Sequence, residues 1–146
     1  MIYIGSDHAG FFLKQDIMKY FKNTEKKFKD FGCYDNNSCN YTEIARDVCF
    51  NLVKNKEEKA ILVCGTGVGM AIVANKFLNV RAVCASDHFS VKYSRLHNNA
   101  NVLCLGARVV SSFFALELVE LFLSTEFEGG RHKKRIEQIK TQSYNV

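Results

Sequence analysis

No proline occurs anywhere in this chain, no repeat is visible, and no linker-like segment interrupts its pattern. Glycine and asparagine are left to punctuate it. No apolar run approaches the ~20 residues of a membrane-spanning helix, and Met1-Ile2-Tyr3-Ile4 reads as a strand rather than the basic and then apolar start of a signal peptide. Neither His-x-x-x-His nor Cys-x-x-Cys is present, and the spacing from Cys33 to Cys39 matches no common zinc pattern, so no metal is expected. Extended basic tracts are missing too. The net charge of +5 is mild, Lys26-Lys27 and Lys133-Lys134 are short clusters, and the partners expected are acidic small molecules rather than nucleic acid or membrane.

What remains is a chain of 146 residues, 47% apolar and 24% charged, which suits one globular domain spanning 1–146. Six cysteines (33, 39, 49, 64, 84 and 104) beside so large a core read mostly as small buried residues of a reduced, cytoplasmic protein. Strand-like runs cover Ile2 to Gly5, Lys27 to Phe31, Ala60 to Cys64, Arg81 to Cys84 and Val102 to Leu105, with helical periodicity between them. From Glu43 to Val53 the pairs Ile44-Ala45, Val48-Cys49 and Leu52-Val53 repeat every four residues, and Thr42 is the expected N-cap. Glu128-Gly129-Gly130 ends the helix before it, and a basic helix is expected from Arg131 to about Thr141.

Such alternation predicts an α/β, flavodoxin-like (Rossmann-type) three-layer sandwich with a five-stranded parallel sheet. The first, third and fifth strands have the continuous apolar runs of central strands, while Lys27 to Phe31 alternates like an edge. The order expected is 2-1-3-4-5. The order then reverses between strands one and three, so the loops Ser6-Asp7-His8-Ala9-Gly10 and Cys64-Gly65-Thr66-Gly67 should line one crevice.

The second loop carries the strongest chemical signal. Gly65, Gly67 and Gly69 let backbone N–H groups approach a ligand, and a helix beginning near Gly67 would favour bound negative charge and a lowered Cys64 pKa. A thiol of ordinary pKa is only about 3% thiolate at neutral pH, so such lowering would make a competent base. The spacing is G-x-G-x-G rather than G-x-G-x-x-G and no G-K-[ST] follows, which argues against dinucleotide and nucleoside triphosphate sites. Asp7-His8 is either a helix-capping turn, with Ser6 or Asp7 as cap, or a substrate clamp. His97, in Arg95-Leu96-His97-Asn98-Asn99-Ala100-Asn101, is either a solvent-facing helix end or a functional residue. Arg131 and Arg135 share one helical face, as a solvated surface or a phosphate site.

Several segments together resemble the ribose-5-phosphate isomerase B family: Ser6 to Gly10, Cys64 to Met70, Ala74-Asn75-Lys76, Arg95 to Asn101, Leu105-Gly106-Ala107-Arg108 and Phe127 to His132. The resemblance spans nearly the whole chain. It implies an aldose–ketose isomerase, without metal or cofactor, acting on ribose 5-phosphate and ribulose 5-phosphate in the pentose phosphate pathway. Homodimers, often paired into tetramers, would share active sites across their interface. The relatives acting on six-carbon sugars, allose or galactose 6-phosphate, are the alternative.

By that resemblance Cys64 is the base that moves a proton between C2 and C1, His97 opens the furanose ring, and Thr66 belongs with them. Asp7, His8, Tyr41, Gly65, Thr66, Gly67, Val68, Gly69 and Asn98 would hold the sugar, and His8, Arg108, Arg131 and Arg135 its phosphate. One departure is Tyr41-Thr42-Glu43, where the family usually has Tyr-Pro-Asp. The loop there loses a rigid φ angle.

Overall fold

Because successive side chains of a strand point to opposite faces, a strand covered on both sides must be apolar throughout. The computed structural model describes residues 1–55 and 58–141 and follows that pattern. Its elements are β1 (Ile2–Ser6), α1 (Phe11–Asn23), β2 (Phe28–Asp30), α2 (Tyr41–Leu52), β3 (Lys59–Cys64), α3 (Val68–Ala74), β4 (Ala82–Cys84), α4 (His88–Leu96), β5 (Val102–Gly106), α5 (Ser112–Ser124) and α6 (Arg131–Thr141). All strand pairs are parallel. Ile4, Ile61, Val63, Leu103 and Leu105 pack against Ile17, Phe21, Leu118 and Phe122 on one face. On the other, Tyr3, Leu62, Cys64 and Cys104 meet Val48, Leu52, Met70 and Ala74. Each fully buried aliphatic or phenyl side chain contributes about 1.5–3 kcal/mol.

The sheet order is β2-β1-β3-β5-β4, so the flavodoxin-like layering stands while the expected positions of the last two strands are exchanged. Burial explains the exchange. All five residues of β5 are buried, as a central strand requires, whereas β4 has three residues, ends on exposed Cys84, and forms the edge. The connection from β4 to β5 runs back along the sheet, and α4 accordingly packs on the face of α1 and α5 while α3 stays with α2. One crossover hand throughout requires that change of face.

Helix α2 begins two residues before the expected Glu43, and its N-cap is Asn40 rather than Thr42. Asn40 Oδ1 accepts the Thr42 N–H at 3.0 Å and the Thr42 hydroxyl at 2.7 Å. From extended backbone, the short amide side chain reaches the second free donor of the helix. Among the described residues no helix is long and apolar enough to cross a membrane.

Candidate active site

Loops leaving the carboxyl ends of β1, β3 and β5 lie side by side. Asp7 N–H donates to the Val63 carbonyl at 3.1 Å, Ala107 N–H to that of Cys64 at 2.8 Å, and Arg108 N–H to that of Gly65 at 3.0 Å. A Cβ on Gly10 would fall 2.5 Å from the Val63 carbonyl oxygen, so only glycine lets the first loop rest on β3. Asp7 is buried, and its Oδ1 accepts the Gly10 N–H at 2.9 Å. It closes the turn, but neither it nor Ser6 caps α1, whose N-cap is Gly10 without a side-chain bond.

Cys64 ends β3 and is buried, and its Sγ accepts the Gly67 N–H at 3.1 Å. Gly67 holds φ at +81°, and a Cβ there would lie 2.9 Å from Cys84 Sγ and 3.0 Å from the Leu105 carbonyl carbon. Both the conformation and the space demand glycine. The Thr66 hydroxyl accepts the Val68 N–H at 3.3 Å. Burial, followed by the neighbouring Cys64, holds the Cys84 thiol above its ordinary value.

The side chains of Tyr41 and Arg108 reach this loop from other segments. A Cβ on Gly69 would lie 2.8 Å from Tyr41 Cε2, which puts the Tyr41 ring directly over that backbone despite the missing proline. A Cβ on Gly65 would lie 3.3 Å from an Arg108 guanidinium nitrogen. That contact follows from the sheet order, since pairing β5 with β3 aligns Gly106 with Cys64. His8 Nδ1 accepts the Cys39 N–H at 3.4 Å, which places the proton of the neutral ring on Nε2, free to donate. Cys39 itself is pushed up to about 11 by burial and by Cys33. Beneath this segment Lys14, fully buried, donates to Asp30 Oδ1 and to the Cys33 carbonyl, both at 2.7 Å. Its charge is paired as burial requires.

The remaining predicted residues gather elsewhere. His97 is the C-cap of α4, and its ring stacks on that of His132 with centroids 4.1 Å apart and planes 12° from parallel. Glu128 Oε2 lies 3.6 Å from His97 Nε2 and 3.9 Å from His132 Nε2. Arg131 Nε donates to His132 Nε2 at 3.5 Å. Burial, with the nearby charges of His97 and Arg131, lowers the pKa of His132. Asn98, Arg131 and Arg135 are exposed. His97 is thus no bare helix end.

These two groups occupy opposite ends of the sheet. Residues 97–101 lead into the amino end of β5, whereas Cys64 and Gly106 terminate their strands. The six residues of β3 alone separate the two ends by about 16 Å at ~3.3 Å per residue. Within one chain the loop that carries Cys64 therefore lies beside the Asp7-His8 loop, Tyr41 and Arg108, and at the far end of the sheet from His97, Asn98, Arg131 and Arg135.

Sequence reasoning did not single out Glu128, His132, Cys39 or Cys84. The first two stand in the run from Phe127 to His132, in which the arginine carries the plainer signal for phosphate. The contacts of Cys39 and Cys84 arise from loop packing and leave no local signal.

A sequence model of the family described as Ribose/Galactose Isomerase matches residues 2–139. Ribose-5-phosphate isomerase B of Escherichia coli (strain K12) is 39% identical over 138 residues, covering 94% of this chain and 93% of that protein. The structure of ribose-5-phosphate isomerase B from Clostridium thermocellum superposes with a TM-score of 0.92 at 39% identity, covering 95% of this chain and 94% of the other. That of the Mycoplasma genitalium ribose-5-phosphate isomerase B with bound ribulose-5-phosphate gives 0.91 at 38% identity, covering 95% and 93%.

Proposed function

The chain belongs to the ribose/galactose isomerase family, and on that premise we propose that it is one isomerase domain interconverting D-ribose 5-phosphate and D-ribulose 5-phosphate. The observation that carries this reading is the Cys64 sulfur, seated at the end of a central strand and accepting the Gly67 N–H of a glycine loop that Tyr41 and Arg108 flank. In the open-chain aldose, the C2 proton is acidified by the C1 carbonyl. The Cys64 thiolate removes it, and charge develops on O1 of the enediolate. Backbone N–H groups of the loop other than those engaged by Cys64 and Thr66 stabilise that charge, a contribution of about 3–4 kcal/mol per oxyanion donor. The Cys64 thiol then returns the proton to C1. The O2 hydroxyl proton must also move to O1 as the C2 carbonyl forms, a transfer this reading assigns to the Thr66 hydroxyl. His8 and Arg108 hold the phosphate, whose binding orients the reacting end.

His97, Asn98, Arg131 and Arg135 complete the site from a second copy of the chain. The length of the sheet between them and Cys64 supports a homodimer with two shared sites, or a tetramer built from such dimers. His97 then opens the furanose ring, and the partner's arginines close over the phosphate. This activity belongs to the pentose phosphate pathway, and the six free thiols suit the cytoplasm.

A panel of ribose 5-phosphate, allose 6-phosphate and galactose 6-phosphate should show the highest kcat/KM for the pentose. Preference for a hexose phosphate would overturn the substrate assignment. Mixing Cys64→Ala with His97→Asn protein, each nearly inactive alone, should restore about a quarter of the sites by subunit exchange in a symmetric dimer. No recovery after exchange verified by mass spectrometry would rule out the shared site.

A further inference from the structure

We propose that His97, Glu128 and His132 form a binding site for a divalent transition metal of borderline softness, zinc(II) being the best match. Their ligand atoms all lie within 4.8 Å of one another. Two imidazoles and one carboxylate form a donor set that zinc uses with one coordination position left open. Tetrahedral zinc, with bonds of about 2.0–2.2 Å, places its ligand atoms about 3.3 Å apart. The observed separations of 3.6 and 3.9 Å from Glu128 Oε2 are close to that, while the stacking of the two rings, with planes 12° from parallel, requires the half-buried His97 ring to turn so that both lone pairs point at one ion. The nitrogen donors select against calcium and magnesium, which prefer oxygen.

The surroundings hold the ligands in place. His132 is only 4% exposed, so packing holds its ring. Glu128 is exposed, its backbone N–H donates to the Leu96 carbonyl at 3.0 Å, and Leu96 precedes His97. Three ligands from two distant segments are thus brought within reach of one ion.

One feature opposes the ion. Arg131 Nε approaches the same His132 Nε2 at 3.5 Å and must leave it for a metal to bind. Its side chain is exposed and can swing outward, but its charge repels a dication. The affinity expected is micromolar rather than nanomolar. Occupancy would hold His97 Nε2 on the metal and so inhibit turnover. That consequence rests on the role proposed for His97, whereas the binding itself does not.

Isothermal titration of zinc(II) into chelator-treated protein tests the site. One zinc per protomer is expected, weakened at least tenfold in Glu128→Gln and in His132→Ala, and strengthened about tenfold in Arg131→Gln, where the opposing charge is gone. Glu128 is exposed, so its variant keeps the test available if loss of the buried imidazole disturbs folding. Cobalt(II) should give d–d bands without the intense near-ultraviolet charge transfer of thiolate ligation, excluding the cysteines. Absence of binding at about 1 mM zinc, an affinity that Glu128→Gln leaves within about threefold, or a thiolate spectrum would each overturn the site. Binding without inhibition of the isomerase would uphold it while contradicting the catalytic placement of His97.

Discussion

Cys64 has two duties in the proposed site, and two substitutions separate them. Its sulfur is the base, and it is also the acceptor at 3.1 Å for the N–H of Gly67, a buried residue. Alanine removes both functions. Leaving that buried donor unpaired costs about 1–3 kcal/mol, which at roughly 3 °C per kcal/mol for a chain of this length lowers Tm by about 3–9 °C. Serine keeps an acceptor near the same place and should recover at least half of that loss. Neither variant has a base, since an aliphatic hydroxyl does not ionise near neutral pH, and kcat should fall about 100- to 10,000-fold in both. The phosphate ligands are untouched, so KM should stay within about threefold, the pattern of a group acting only in the transition state. Turnover is followed by ketose formation from ribose 5-phosphate, and stability by urea and thermal unfolding. If either variant keeps kcat within tenfold of wild type, Cys64 is not the base. If serine is as destabilising as alanine, the Gly67 hydrogen bond is not what the sulfur contributes to the fold.

Gly67→Ala should cost about 2–5 kcal/mol, combining about 1–2 for a left-handed residue with about 1–3 for a Cβ driven into the Leu105 backbone, and an unchanged urea midpoint would refute the close packing. His97→Asn should slow isomerisation of a cyclic substrate more than that of a pre-opened one; equal losses on both would contradict ring opening. Glu120 accepts from the Tyr20 hydroxyl and pairs with Lys26 at 3.2 Å, and these contacts hold its carboxyl below the ordinary value against the opposing effect of burial. That contribution is complete above the unfolded value of about 4.3 and is lost as pH falls through the lower folded value. Glu120→Gln should therefore destabilise the protein most near neutrality, and a stability difference from wild type that grew on acidification would have the wrong sign.

The unequal legibility of the site has a physical basis. Cys64, the glycine loop and Asp7-His8 were readable because a loop at the end of a predicted strand has its position set by that strand. Tyr41 was less so, since without the usual proline only the packed ring over Gly69 decides where it points. The exchange of β4 and β5 was implicit in the burial pattern, because β5 had the apolar run of a central strand. The capping pattern of α2 was misread by two residues, as Asn40 and Thr42 both suit the role and only backbone conformation distinguishes them.

The sequence by itself determined the layered α/β architecture, the parallel sheet and the glycine loop at the end of its third strand, since periodicity, glycine spacing and strand ends are local properties that near neighbours set. Tertiary structure alone decided which residues face one another. It put Arg108 over Gly65 through the pairing of β5 with β3, left His97 and the arginines at the other end of the sheet, and stacked His97 on His132 beside Glu128. Those placements depend on how whole elements pack, and residues 35 apart in a chain have no spacing rule to announce that their rings will meet.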